Sequence, residues 1–216
     1  MNVKVIIFDF DGTIADTLNA IVSITNRLAE EYGYQPTDPE QLAQIRNMSS
    51  REIVRKSGIS LFKIPFLLRR IKLDLRNDIQ QIKPIVGIKE ALTKLSNQGN
   101  KLGILTSNSE ENVSAFLKKH EMQDLFSFIY AEPTLFTKHK ILNQLIKINN
   151  FVPEEVIYVG DETRDIEASK KIPIRVIAVS WGFNSEAALA KHHPDFLLHQ
   201  PSELIDVMRS LQQIVS

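Results

Sequence analysis

The chain has 216 residues, 43% of them apolar, and Lys plus Arg balances Asp plus Glu at 26 each. That suffices for a sizeable core and gives no bulk electrostatic reason to expect nucleic acid or an anionic membrane as partner. It contains no cysteine, which excludes disulfides, thiolate catalysis and Cys-based zinc sites. No apolar run approaches the ~20 residues of a bilayer span, and the N-terminus lacks the basic and apolar segments of a signal peptide, so a cytoplasmic protein is expected.

The run Val5-Ile6-Ile7-Phe8 is short, apolar and β-rich, the pattern of a strand buried on both faces. It leads into Asp9, Asp11, Gly12 and Thr13. Side chains at i and i+2 of an extended chain share a face, so the two carboxylates can share a pocket at the strand's carboxyl end. From Thr17 the period changes: Leu18, Ile21, Val22, Thr25, Leu28, Ala29 and Tyr32 predict an amphipathic helix, closed by Gly33. Residues 36–82 continue as helical pieces punctuated by Pro36, Pro39, Gly58 and Pro65, with no convincing strand. This block reads as an all-helical insertion over the end of the first strand, leaving through Pro84 and Gly87.

A helix marked by Leu92 and Leu95 and closed by Gly99 comes next, then a second buried strand over Lys101–Leu105 that ends in Thr106-Ser107-Asn108. Ser109, Glu110 and Glu111 open another helix. A third strand is predicted over Phe128–Ala131 and a helix over Lys138–Asn149. The fourth strand, Val156–Val159, ends in Gly160-Asp161, and a fifth covers Arg175–Val179. Phe196-Leu197-Leu198 offers a short last strand, and Leu204–Val215 a closing helix. Strands alternating with helices predict an α/β fold: a Rossmann-like, doubly wound parallel sheet of about five strands. The domain reading is a core of residues 1–15 and 84–216, with a cap at 16–83.

In a parallel sheet the strand C-termini lie on one edge, so Asp9, Asp11, Thr106, Ser107, Asp161 and Asp165 can converge there. Lys138, at a predicted helix start, joins from the same side. Phosphoryl transfer uses such a set. Hard carboxylate oxygens suit Mg²⁺, while a hydroxyl and backbone N–H groups suit a phosphate. A lysine adds a point charge against the phosphoryl oxygens. One carboxylate can attack phosphorus, while the other, its pKa raised by the surrounding negative charge, protonates the leaving group and later deprotonates water.

DFDGTIADT, the LTSN strand end and GDETRD resemble the first, second and fourth motifs of the haloacid dehalogenase superfamily. In particular the chain is similar to its phosphoglycolate-phosphatase-like branch with a small helical cap, and the likeness spans nearly the whole chain. The resemblance implies Asp9 as nucleophile and Asp11 as general acid/base. It implies Thr106, with Ser107 and Asn108, at the phosphate, and Lys138 steadying nucleophile and phosphate. Mg²⁺ would be held by Asp9, Asp161 and the backbone carbonyl of Asp11, with Asp165 in support. Relatives often carry Lys-Pro at the third motif. Here Thr137-Lys138-His139-Lys140 leaves two lysines open, with Lys138 preferred for its place at the helix entrance.

Plainer roles compete with these. Asp161 and Asp165 after Gly160, and Thr106-Ser107-Asn108, are also ordinary helix-capping groups. Arg46, Arg51 and Arg55 are candidates for meeting an anionic substrate, Arg51 foremost, or else form a solvated helix face. Arg69-Arg70-Ile71-Lys72 reads as the wet side of a cap helix. Trp181 lines the pocket rim or packs beneath it. His139, His192, His193 and His199 show no metal-binding spacing. The expected activity is hydrolysis of a small phosphorylated metabolite, phosphoglycolate-like, by a monomer or homodimer. A phosphomutase of the same fold, or a non-hydrolytic phospho-accepting or binding protein, is the alternative. Turnover of a generic aryl phosphate separates an enzyme from a switch.

Overall fold

The computed structural model describes residues 3–132 and 137–213. At its centre lies β1 (Val5–Phe8), every residue of which is buried. It pairs in parallel with β2 (Lys101–Thr106) on one side and β4 (Val156–Gly160) on the other. β3 (Phe126–Ala131) extends the sheet beyond β2, and β5 (Arg175–Val179) and β6 (Phe196–Leu198) extend it beyond β4. The order is β3-β2-β1-β4-β5-β6, all parallel. The short Phe196–Leu198 run therefore makes a sixth strand, one more than the round expectation of five.

Alternation along β1 divides the core. Ile6 and Phe8 join one apolar cluster, Val5 and Ile7 the other, as a strand covered by helices on both faces requires. Strand order reverses direction at β1 and β4, and in such sheets the crevice beyond the carboxyl ends at that point takes the ligand.

Between β1 and β2 the chain forms α1 (Leu18–Tyr32), α2 (Pro39–Ile45), α3 (Ser50–Ser57), α4 (Ile64–Asp78) and α5 (Ile88–Asn97). Gly33 ends α1 in the left-handed conformation, its N–H reaching Ala29 and Glu30 carbonyls. Asp38 with Gln41 and Ser49 with Glu52 form reciprocal capping boxes that start α2 and α3. The chain leaves and re-enters the sheet layer at adjacent points: Asp16 N–H donates to the Lys83 carbonyl at 3.0 Å and Ile85 N–H to the Ile14 carbonyl at 2.9 Å. Ile24 and Leu28 of α1 and Leu67 and Leu75 of α4 join the same apolar cluster as Phe8 and Phe10.

The remaining helices are α6 (Glu110–Lys119), α7 (Lys138–Ile148), α8 (Thr163–Ser169), α9 (Glu186–Lys191) and α10 (Glu203–Gln213). The short α9 follows no signal noted in the sequence, although Ser185 caps it. Val215 of the expected closing helix lies outside the described residues, as do residues 133–136 ahead of α7. Among the described residues no helix is long and apolar enough to cross a membrane.

Candidate active site

Asp9 leaves β1 buried, with Phe10 N–H donating to its Oδ1 at 2.8 Å. Asp161 leaves β4 in the neighbouring strand, and Asp165 lies one helical turn further on, in α8. All three are buried, and one carboxylate oxygen from each lies within 4.8 Å of the others. Lys138, the first residue of α7, points its ammonium between two of them, at 2.7 Å from Asp9 Oδ2 and 2.5 Å from Asp165 Oδ1. Lys140 is exposed. The geometry thus separates the two lysines that the sequence left open.

Each acid has a different set of partners. Asp165 accepts from Lys138 and, through Oδ2, from Glu162 N–H at 3.1 Å. Asp161 accepts from Thr13 Oγ1 at 2.8 Å and from Phe183 N–H at 2.7 Å. The chain wraps this carboxylate closely. A Cβ on Gly12, whose φ is 73°, would stand 2.2 Å from Asp161 Oδ2, and one on Gly182 would stand 2.3 Å from the same atom. Only glycine permits that approach, and Gly12 also needs it for its left-handed turn.

Burial, followed by repulsion from Glu162, Asp9 and Asp165, holds the Asp161 carboxyl well above the usual range. Asp165 is pushed up to about 6 by burial, against the pull of Lys138. Lys138 keeps its charge because Asp165 and Asp9 outweigh its burial. Arg164, unremarked in the sequence although it lies inside GDETRD, is a second cation of this kind: burial opposes its charge, but Glu162, Asp9 and Asp165 raise its pKa. The acids of this cluster outnumber these two cations, leaving an excess of negative charge. A divalent cation among hard, buried carboxylate oxygens would remove that excess, so the donor set fits such an ion.

Asp11 stands apart from the trio. Its carboxylate turns to Asn108, whose Nδ2 lies 3.1 Å from both oxygens. Burial first, and the charge of Asp9 second, raise it to about 7. Asn108 N–H in turn donates to Thr106 Oγ1 at 3.0 Å, so the second strand end and Asp11 form one cluster. Ser107 is half-buried beside it.

The arginines of the helical block separate. Arg51 lines a crevice with Lys138, Thr163 and Arg164, at the edge of the site. Arg55 lines only a second crevice, which it shares with Arg51, Val54, Ile59 and Leu61. Arg46 donates to the carbonyls of Phe183 at 2.9 Å and Gly182 at 3.0 Å, so it binds backbone and not solvent. Lys72 corrects the reading of its basic run. Arg69 and Arg70 are exposed, but Lys72 is half-buried, and burial lowers its pKa while Asp11 and Glu132 raise it. Trp181 is half-buried at the rim, its Nε1–H donating to the Thr13 carbonyl at 3.2 Å. Among the described residues no histidine joins the metal-capable cluster.

Residues 6–179 match the family model of haloacid dehalogenase-like hydrolases. The chain belongs to this family. It is 39% identical over 210 residues to a phosphoglycolate phosphatase of Synechococcus elongatus, covering 97% of this chain and 99% of that one. It is 24% identical to the pyrophosphatase PpaX of Bacillus thuringiensis, over 99% of this chain and 100% of the relative. A crystal structure of a predicted phosphatase from Clostridium acetobutylicum shares the fold, with a TM-score of 0.82 and 17% identity over 99% of this chain and 100% of that one. This haloacid dehalogenase-like protein is a phosphatase.

Proposed function

We propose that the chain is a Mg²⁺-dependent phosphomonoester hydrolase working through an aspartyl-phosphate at Asp9, with 2-phosphoglycolate as the first substrate to try. The observation that carries this reading is Lys138 placed between Asp9 and Asp165, with Asp161 beside them and Asp11 held near neutrality. In the first step the Asp9 carboxylate forms a bond to phosphorus as the ester P–O bond breaks, and Asp11 gives its proton to the leaving oxygen. In the second, Asp11 takes a proton from water, whose oxygen bonds to phosphorus as the Asp9–phosphorus bond breaks and phosphate departs. A pKa of about 7 suits a group that must donate and then accept within one cycle.

Asp9, Asp161 and the Asp11 carbonyl would hold the Mg²⁺, which supplies positive charge between carboxylate and phosphate. Asp165, already occupied by Lys138 and Glu162 N–H, orients the lysine. Thr106 and Ser107 would receive the phosphoryl oxygens, while Asn108 positions Asp11. Residues 16–83 would act as the cap, hinged where Asp16 meets Lys83, closing over the substrate with Arg51 on its inner edge.

Phosphate release across a panel of phosphorylated metabolites, with Mg²⁺ and with EDTA, tests the reading. Metal-dependent release from phosphoglycolate, lost in Asp9→Asn, is the expected result. Release from pyrophosphate alone would move the substrate toward that of the PpaX relative, and activity that survives Asp9→Asn would remove the nucleophile.

A further inference from the structure

The second and third cap helices are attached to the sheet by a polar seam centred on one buried side chain. Asn184 is 1% exposed. Its Nδ2 donates to the carbonyls of Arg46 and Met48, both at 3.0 Å, and its Oδ1 accepts from Thr163 N–H at 2.8 Å. Its own N–H donates to the Asp161 carbonyl at 3.2 Å. The amide cannot be turned over, because that would set NH₂ against N–H and oxygen against two carbonyls. Its neighbours repeat the pattern. Ser185 N–H donates to the Arg46 carbonyl at 2.8 Å, and Ser185 Oγ meets Asn47 Oδ1 at 2.5 Å. The Arg46 guanidinium returns to the carbonyls of Gly182 and Phe183. Ser50 Oγ reaches Glu162 Oε2 at 3.1 Å.

The loop 182–185 thus has two working faces. One holds the segment 46–50. The other holds Asp161, through Phe183 N–H on Oδ2 and through the close approach of Gly182. We propose that Asn184 is a positioning residue that couples docking of the 46–50 segment to the placement of the Asp161 carboxylate. When 46–50 lifts, the two donors of Asn184 lose their carbonyls in a buried position, and the loop must move to hydrate them. The Phe183 N–H moves with it, so Asp161 loses a donor and its fixed direction. Linkage makes the effect reciprocal: whatever favours the placed Asp161, a bound divalent cation above all, favours the docked segment. That last clause rests on the metal reading proposed above; the coupling between loop and segment does not.

Two readouts on the full chain test this, backbone hydrogen exchange and calorimetric titration with Mg²⁺. Arg46→Ala removes the guanidinium bonds between the 46–50 segment and the Gly182 and Phe183 carbonyls and leaves the Asn184 side chain in place. It is expected to speed exchange of the metal-free protein at the Phe183 amide by about tenfold, the scale of losing charged hydrogen bonds, and to weaken Mg²⁺ binding several-fold. Arg46→Lys, which keeps a donor for one carbonyl, is expected to recover part of both effects. Asn184→Leu is expected to exceed Arg46→Ala in both, and if it does not fold the arginine variants decide alone. Faster exchange confined to residues 46–50, with the Phe183 amide and Mg²⁺ affinity as in wild type, would overturn the coupling. If the wild type takes up no Mg²⁺, the metal reading fails, and exchange at Phe183 still decides for or against the coupling.

Discussion

The floor of the site and the helices above it are held by different forces. Beneath lie β1 and β4, with every residue buried, ending in Asp9, held by the buried Lys138, and Asp161, held by Thr13 and Phe183 N–H. Above lie α2 and α3, which bury no residue at all and rely on capping boxes and on the seam to residues 182–185. Elements with few buried apolar contacts belong to the low-stability end of a protein and open most easily. The difference suits the proposed division of labour: a rigid floor can hold groups at reaction distance, while a lightly attached cover can admit and release a substrate.

Substitutions that break the floor are expected to have the largest effects. Asp9→Asn should lower kcat by about ten-thousand-fold or more in a steady-state phosphate-release assay, the scale for removing a nucleophile. Lys138→Met comes next, because it leaves Asp9 and Asp165 buried without their shared cation. A loss of about 3–5 kcal/mol in urea unfolding of the metal-free protein is expected, against no measurable loss for the exposed Lys140→Ala. Equal losses for the two would contradict the assignment.

A smaller effect, with a sign fixed by pH, is expected at Asp11. Its folded carboxyl titrates at about 7 against an ordinary 3.8. Across that window the native state holds a proton that the unfolded chain has released. Stability therefore falls as pH rises through the window, and the full cost is present above 7. Asp11→Asn removes the cost, so in EDTA its melting temperature should gain on wild type by a few degrees between pH 5 and pH 8. A constant or shrinking difference would contradict the raised carboxyl. The smallest effect belongs to the cover. Ile53→Ala in α3, half-buried, should cost under about 1 kcal/mol, whereas the fully buried Leu92→Ala should cost about 2–5.

The same contrast governs what could be read from the residues. β1, β2 and β4 announce themselves as apolar runs ending in polar groups, and a parallel sheet brings those ends to one edge. Asp9, Asp161, Asp165 and the Thr106–Asn108 end were legible as groups at that edge, whereas Lys138 is separated from Lys140 only by the fold, which buries the one among the acids and exposes the other. Asn108 was legible as a polar group but not as the partner of Asp11, since its amide direction depends on tertiary contacts. Arg164 was visible inside its motif, but only the fold shows that it is half-buried and paired with Glu162. Lys72 was grouped with the exposed Arg69 and Arg70 because periodicity does not show what packs nearby; here α6 approaches from about 40 residues later, Asn112 Nδ2 donating to the Lys72 carbonyl at 3.0 Å. Arg46 and Asn184 stand 138 residues apart with no local pattern linking them. The short α9 is a single capped turn and a half, too brief for a period to register.

The central claim is that Asp9 carries the phosphoryl group during turnover. Acid quenching of the enzyme with Mg²⁺ and 2-phosphoglycolate, followed by peptide mass spectrometry, tests it most directly. The account predicts one phosphoryl group on the peptide that contains Asp9, absent in Asp9→Asn and lost at the rate of turnover once the substrate is exhausted. Phosphate release at the full rate with that peptide unmodified at every quench time would show that water attacks the substrate directly, and would contradict the account.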